Sequence, residues 1–599
     1  MIRFSALLLL LALLAFVPAC GGSDDAAGVD TDADSTPDAM ADVADASDAA
    51  ASPDAPAPSE VEGPDVAEPT TPDATPDEVA LDTAEVVPEV VIPADGRACN
   101  VFPSDPTTDD WTTSVTYAPH LDEAAGGHLT GKYATVYNCL PESSGSGGMG
   151  GYDLCTPTQT VTPGDDGTYL HVVPPTDRNA FDDPFAEVQM YVHMNEIHDY
   201  FAGTHGVTAL DWPLIGLVNL SVRQYNQWMP FDNAAFMPKE TMNAMGLNFG
   251  LDQDAIVFGQ GTFVDFSYDA TVIYHEYTHA VIGDERLLGF TADVFGLNPE
   301  PMAMSEGTAD YFAATRVGNS RIGAYALDMP MMGDLSRDLS EFRKCPDHLV
   351  GEAHADGRMW ASALWAIRGA LGAQVADRVI FSALMSAGMN TTFHEASELL
   401  LQAAAAEDAA AGTGTAAHDA VQSALAEHGV DACQRVKPFV DLATVPYTEP
   451  LLVKGTMTSM VDVFQSAKLV PMAFQYVAQV PPGTLAARLE FKARVSDEMS
   501  QYYQGQVSPQ VAFRAGQPVA YSYSGGKMQM AADALLVPTA TGTGWGKKYT
   551  ITLSGNCLAA GDLYLQFLNA TFVDIQLDSM SLAWQTDATG LTPNFDGCE

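Results

Sequence analysis

His275-Glu276-Tyr277-Thr278-His279 sets two imidazoles four residues apart, with a carboxylate beside the first. On a helix such residues share a face, one turn apart in height, so both rings reach a single cation. Glu276 then projects beside that cation, where a carboxylate accepts a proton from an activated water. A third donor is needed. Ser305-Glu306-Gly307-Thr308-Ala309-Asp310 begins 26 residues after His279, again in a helical stretch. Glu306 completes a two-His, one-Glu set whose fourth position is left for water, the arrangement of a catalytic zinc. Asp310, four residues on and sharing a face with Glu306, accepts the second ring N–H of a ligand histidine, His275 by this reading, and so fixes its tautomer.

These residues must be carried by rigid elements. Asp269 reads as an N-cap, Ala270 to Ile282 as helix and Gly283 as its stop. The helix bearing Glu306 ends near Gly318, and Asp183-Pro184 opens another that runs to about Phe201. Extended runs stand at Lys132–Asn138, Tyr169–Val173, Leu214–Val222 and Ala255–Phe258. Residues 269 to about 427 are mainly helical, and beyond Pro446 β-branched and aromatic segments alternate with Pro and Gly turns. This order predicts an α+β fold: a β-rich lobe over 96–268, a helical lobe over 269–440 and a β-sandwich over 441–599.

Several segments together resemble the fungalysin family of the thermolysin-like gluzincin metallopeptidases, over roughly residues 120–430. Besides the two motifs above, Asp232-Asn233-Ala234-Ala235-Phe236 is similar to the edge segment with which that superfamily holds substrate main chain. Asp183 to Phe201 resembles its long helix, and His354-Ala355-Asp356-Gly357-Arg358-Met359-Trp360 its His-x-x-Gly-x-x-Trp segment. The resemblance implies a two-lobed zinc endopeptidase acting on peptides or proteins. In it Glu276 is the general base and His354 donates to the oxyanion. Asn233 and Ala234 pair with an extended substrate, Val272 walls the primed-side pocket, and Arg337 binds a substrate carbonyl. Thr278 and Ala280 stand where fungalysins usually carry glycine. An acidic segment occupies the part of the chain where those enzymes have a folded inhibitory pro-domain.

The formal net charge of −52 argues against nucleic acid as a partner, because a phosphate backbone calls for a basic footprint. Residues 1–19 read as a secretory signal, and Val17-Pro18-Ala19-Cys20 resembles a lipoprotein cleavage box that would acylate Cys20. Residues 20–95, rich in Ala, Asp and Pro, read as a disordered tether. This predicts an exported protein of the bacterial envelope, an outer-membrane lipoprotein or a surface protein, with plain secretion as the alternative. Contact with the membrane is then through the lipid alone. In an exported chain the cysteines are disulfide candidates. Sequence neighbours pair Cys139 with Cys155 and Cys557 with Cys598, leaving Cys345 with Cys433 and an odd Cys99, although spacing alone does not settle connectivity. Asp252 and Asp254 are candidates for a Ca²⁺ site. Two other functions compete: an inactive surface adhesin on a peptidase scaffold, and a zinc aminopeptidase.

Overall fold

A computed structural model describes residues 96–586 except 142–152, 178–179, 225–226, 246, 248, 330–332, 441–449, 498, 501–502, 504, 543–546, 555–557 and 559–560. The signal, tether and Cys20, together with Cys557 and Cys598, lie outside the described residues, as does the boundary expected near residue 440. Elements that bear on the site are labelled here in chain order.

The N-terminal region is built on a mixed sheet in which β1 (Ala134–Leu140), β2 (Leu214–Gln224) and β4 (Ala255–Gly259) run parallel. The short β3 (Ala234–Met237) lies antiparallel to β4 at the end of the strand order. Every residue of β4 is buried. Ile256 and Phe258 face the main core, while Ala255 and Val257 face a second cluster with Leu217 and Phe231. A strand covered on both faces reads as a continuous apolar run, as Ala-Ile-Val-Phe does. Helix α1 (Pro184–His205) is capped by Asp183, whose side chain accepts from Phe185 N at 2.9 Å. It is buried nearly all round and shows no apolar stripe. The extended run expected at Tyr169–Val173 is a turn instead: Val172 N donates to Tyr169 O, and Tyr169 OH ties back to Gly127 O at 2.8 Å.

Helix α2 (Ala270–Ile282) carries the first motif, with Asp269 capping Thr271 N at 3.0 Å. A ribbon, β5 (Thr291–Asp293) with β6 (Gly296–Asn298), leads into α3 (Glu300–Val317). Helices α4 (Ala353–Leu371), α5 (Ala373–Ser386), α6 (Phe393–Ala411) and α7 (Ala416–His428) complete the helical part. Two glycines allow α3 and α4 to close up. A Cβ on Gly307 would sit 2.4 Å from Gly357 O, and one on Gly357 would sit 2.7 Å from Ala303 O. Trp360 Nε1 donates to Thr308 Oγ1 at 3.1 Å across the same contact.

Two further sheets follow. One joins β7 (Val436–Pro438), β9 (Gln475–Val480), β13 (Gly561–Asn569) and β11 (Pro509–Ala515). The other joins β8 (Leu451–Val453), β14 (Ile575–Gln585), β10 (Ala486–Val495) and β12 (Lys548–Ser554). Phe491 of β10 and Phe567 of β13 pack edge to face between them, with ring centroids 5.0 Å apart. The fold is α+β. β7 already belongs to the first of these sheets. Cys139–Cys155 and Cys345–Cys433 are bridged, with Cα–Cα separations of 5.2 and 5.6 Å, and Cys99 is buried and free.

Candidate metal centre and peptide-binding edge

Helices α2 and α3 cross so that His275, His279 and Glu306 present their donor atoms to one point, all within 4.8 Å of one another. His275 Nε2 lies 3.1 Å from His279 Nε2 and 3.3 Å from Glu306 Oε2, which is 3.5 Å from His279 Nε2. Glu306 Oε2 is buried without a hydrogen-bond partner of good geometry. An orphaned buried carboxylate oxygen facing two imidazole nitrogens is costly unless a cation joins them, so the donor set fits zinc in number, type and convergence.

The donors are held from behind. His275 Nδ1 lies 2.8 Å from Asp310 Oδ1. Arg337 grips the same carboxylate twice, Nε to Oδ2 at 2.7 Å and Nη2 to Oδ1 at 2.6 Å. Burial raises the Asp310 carboxyl, but Arg337 and His275 overcome that and hold it well below the usual carboxylate range. Asp310 is thereby held as an anion against the Nδ1 side of His275. Arg337, expected at a substrate carbonyl, thus has two of its nitrogens committed to Asp310. Ser305 Oγ sits 3.2 Å from His279 Nδ1 and orients the second ring in the same way. Thr278, standing where glycine is usual, donates its hydroxyl to Tyr274 O at 2.8 Å and is fully buried.

Glu276 Oε2 accepts from Phe236 N at 2.8 Å, which ties the carboxylate to strand β3. That contact uses a backbone N–H and left no trace in residue type. Beside it, Asn233 turns its Oδ1 to Ala234 N at 2.9 Å, while its carbonyl accepts from Gly259 N at 3.0 Å. Ala234 lies on β3, the terminal strand of its sheet. Val272, one turn before His275, is 8 % exposed.

His354 stands in the first turn of α4, half-exposed, with Nε2 3.3 Å from Glu306 Oε2. Its Nδ1 is 3.0 Å from Glu352 Oε1, and Glu352 Oε2 also caps the helix by accepting from Ala355 N at 2.9 Å. One carboxylate thus ends the helix and aims the ring. Glu352 was missed in the sequence, although an acidic residue just ahead of a helix start is a readable signal. Glu306 is the main cause that pushes His354 up to about 10, against burial and with help from Glu352. A divalent cation on Glu306 would work the other way.

Two further histidines are held in the core. His193 bridges Tyr274 OH at 2.7 Å and Phe102 O at 3.0 Å. His428 is buried with Nδ1 2.7 Å from Arg343 O. Asp252 pairs with Lys239 Nζ, and Asp254 accepts from Lys239 N at 2.8 Å. Among the described residues the only convergent group of three or more His, Cys, Asp or Glu donors is the one above, and neither Asp252 nor Asp254 belongs to it.

A search of curated proteins finds no match to the chain. Residues 182–434 match the family described as fungalysin metallopeptidase (M36), a span that begins beside the cap of α1 and ends just after α7. It holds both motifs, β3 and the His354 segment. Over residues 182–434 the chain is thus similar to that family, and the protein is a zinc-dependent metallopeptidase, a hydrolase acting on peptide or protein substrates.

Proposed function

We propose that the protein is an endopeptidase in which Glu276 is the general base. The observation that carries this reading is the 2.8 Å bond from Phe236 N to Glu276 Oε2. It sets the carboxylate against a terminal strand on which an extended substrate can add as a further strand, its main chain continuing past the site in both directions. Zinc held by His275, His279 and Glu306 would supply a Lewis acid and an activated water. Glu276 takes the proton of the attacking water and returns it to the leaving amine. His354, aimed by Glu352, donates to the developing oxyanion, a contribution of about 2–4 kcal/mol in comparable sites. The Asn233 side-chain amide and the Ala234 carbonyl offer partners to the substrate main chain. Val272 borders the pocket for the side chain after the cut, and Arg337 keeps Nη1 for a substrate carbonyl.

The test uses residues 97–599, produced in an oxidising compartment and loaded with zinc. A mixed peptide library should be cut internally. Glu276→Gln should retain zinc and lose about 10²–10⁴-fold in rate, the usual weight of a positioned base. Release of single N-terminal residues would sink the endopeptidase reading in favour of an aminopeptidase. No cleavage by folded, zinc-loaded protein would favour the adhesin.

The sequence of residues 1–95 supports export and a surface tether, with Cys20 as the acylated mature N-terminus. Intact-mass analysis of the cell-bound protein should find a chain starting at Cys20 with two or three acyl groups. A chain starting elsewhere without lipid would refute the anchor.

A further inference from the structure

Glu306 and His354 stand on helices that are each entered through a short segment, and both segments are gripped by the β-rich C-terminal region. The first is the β5–β6 ribbon ahead of α3. Arg435, 1 % exposed, donates from Nη1 to Leu297 O at 2.6 Å and to Ala473 O at 3.0 Å. Its Nη2 pairs with Asp293, and its Nε lies 3.4 Å from Glu300 Oε1 at the start of α3. Gln566 Nε2 donates to Phe295 O at 2.8 Å, and Tyr521 N to Val294 O at 2.9 Å. The second segment is 349–352, ahead of α4. Buried Lys437 donates from Nζ to Leu349 O at 2.9 Å, and Leu452 N donates to Val350 O at 2.8 Å. A Cβ on Gly351, which sits at φ 89°, would lie 2.6 Å from Leu452 O. One residue later Glu352 caps α4 and aims His354.

The two cations come from one short stretch. Cys433, Arg435 and Lys437 alternate along the chain, and Cys433 is bridged to Cys345, four residues ahead of the second segment. Glu300 and Glu306 share α3, six residues or about 9 Å apart along its axis. A helix moves as a rigid body over that distance, so a shift at its first turn reaches the ligand undiminished. A misplacement of about 1 Å can cost on the order of 10²-fold in rate.

We infer that Arg435 and Lys437 are positioning residues, Arg435 for Glu306 and Lys437 for His354, and that the β-rich C-terminal region is a fixed wall of the peptidase. This rests on the roles given above to Glu306 and His354. Neither cation touches the donor set, so each acts through the segment it holds.

The test compares Arg435→Met, Arg435→Lys, Lys437→Met and Val511→Ala in residues 97–599. Val511 is buried in β11 of the same sheet, with two strands between it and β7, and its truncation to Ala loosens that sheet. Zinc affinity is read by chelator competition, kcat and KM separately on one internally cut peptide, all well below the lowest Tm. Lys437→Met should lower kcat about tenfold or more, with KM and zinc affinity within about twofold of wild type. Arg435→Met should weaken zinc affinity about tenfold, with Arg435→Lys recovering part of the loss. Val511→Ala should lower Tm alone. The inference is overturned if folded Lys437→Met keeps its kcat and folded Arg435→Met keeps its zinc affinity, or if Val511→Ala reproduces both losses. Should Arg435→Met fail to fold, Lys437→Met decides by itself. If the wild type cuts no peptide, the functional reading fails, while the zinc affinity of Arg435→Met still tests the positioning of Glu306.

Discussion

Asp310 shows how one buried carboxylate sets the chemistry of a neighbour it does not resemble. It holds the Nδ1 side of His275 while Arg337 closes its other lone pairs, so the His275 Nε2 lone pair is left for a cation. Asp310→Asn keeps the shape but loses the charge that fixes this tautomer. It should weaken zinc binding by about 10–100-fold, as loss of an outer-shell partner does elsewhere. Chelator competition measures this, and unchanged affinity would remove Asp310 from the site. The substitution also leaves the partly buried Arg337 without its counter-ion, so a fall in Tm should accompany it.

At the scale of elements, the site depends on how closely α3 and α4 approach. Gly307 and Gly357 face one another's backbone, and Glu306 Cβ lies only 3.1 Å from where a Gly357 Cβ would stand. Gly357→Ala therefore pushes apart the helices bearing Glu306 and His354. Overpacking of this kind costs about 1–3 kcal/mol. The expected outcome is a Tm lower by several degrees together with a disproportionate loss of cleavage, checked by calorimetry and by kcat on the same preparation. Tm and kcat both at wild-type level would show that the gap is not needed. Strand β3 makes a complementary point. It is only four residues long, yet its place at the end of the strand order puts Phe236 N within reach of Glu276.

Over the whole molecule the acidic composition is carried partly inside. Residues 96–599 hold 57 acidic against 25 basic residues, the chain total less the 21 acids of 21–95 and Arg3. Burial pushes Glu187 up to about 7, Asp269 to about 6 and Asp356 to about 8, each despite backbone N–H donors. Burial also raises Asp183 and Asp265, which face each other. A carboxyl raised in the folded state keeps its proton there while the unfolded chain has lost it. Its stabilisation is full below the unfolded value near 4 and is lost as pH rises through the folded value. Glu196 runs the other way: burial raises it, but His193 and Arg316 hold it at about 2, so its contribution fades only as pH falls below about 4. The Tm of metal-free protein should therefore fall as pH rises from 5 to 8. Glu187→Gln should reduce that slope, since Gln can still accept from Thr160 N at 3.2 Å without ionising. A flat or rising Tm in the wild type would contradict this account.

The zinc donors were legible because their logic is local: His275 and His279 share a helix face by spacing alone, and Asp269 and Gly283 mark the ends of that helix in residue type. The long α1, the core strands β2 and β4, and the Cys139–Cys155 pair were readable for the same reason, from short-range pattern, whereas Cys345–Cys433, 88 residues apart, was reached only as the pair left over. The turn at Tyr169–Val173 was misread because apolar, β-prone residues can be buried by a turn as well as by a ladder. Tertiary structure alone decided that Arg337 faces Asp310, that Phe236 N meets Glu276, and that Arg435 reaches Leu297 across 138 residues. Backbone amides look alike in every residue, and a long cationic side chain has many acceptors within its span. Which of them it takes is settled only when packing brings distant segments together.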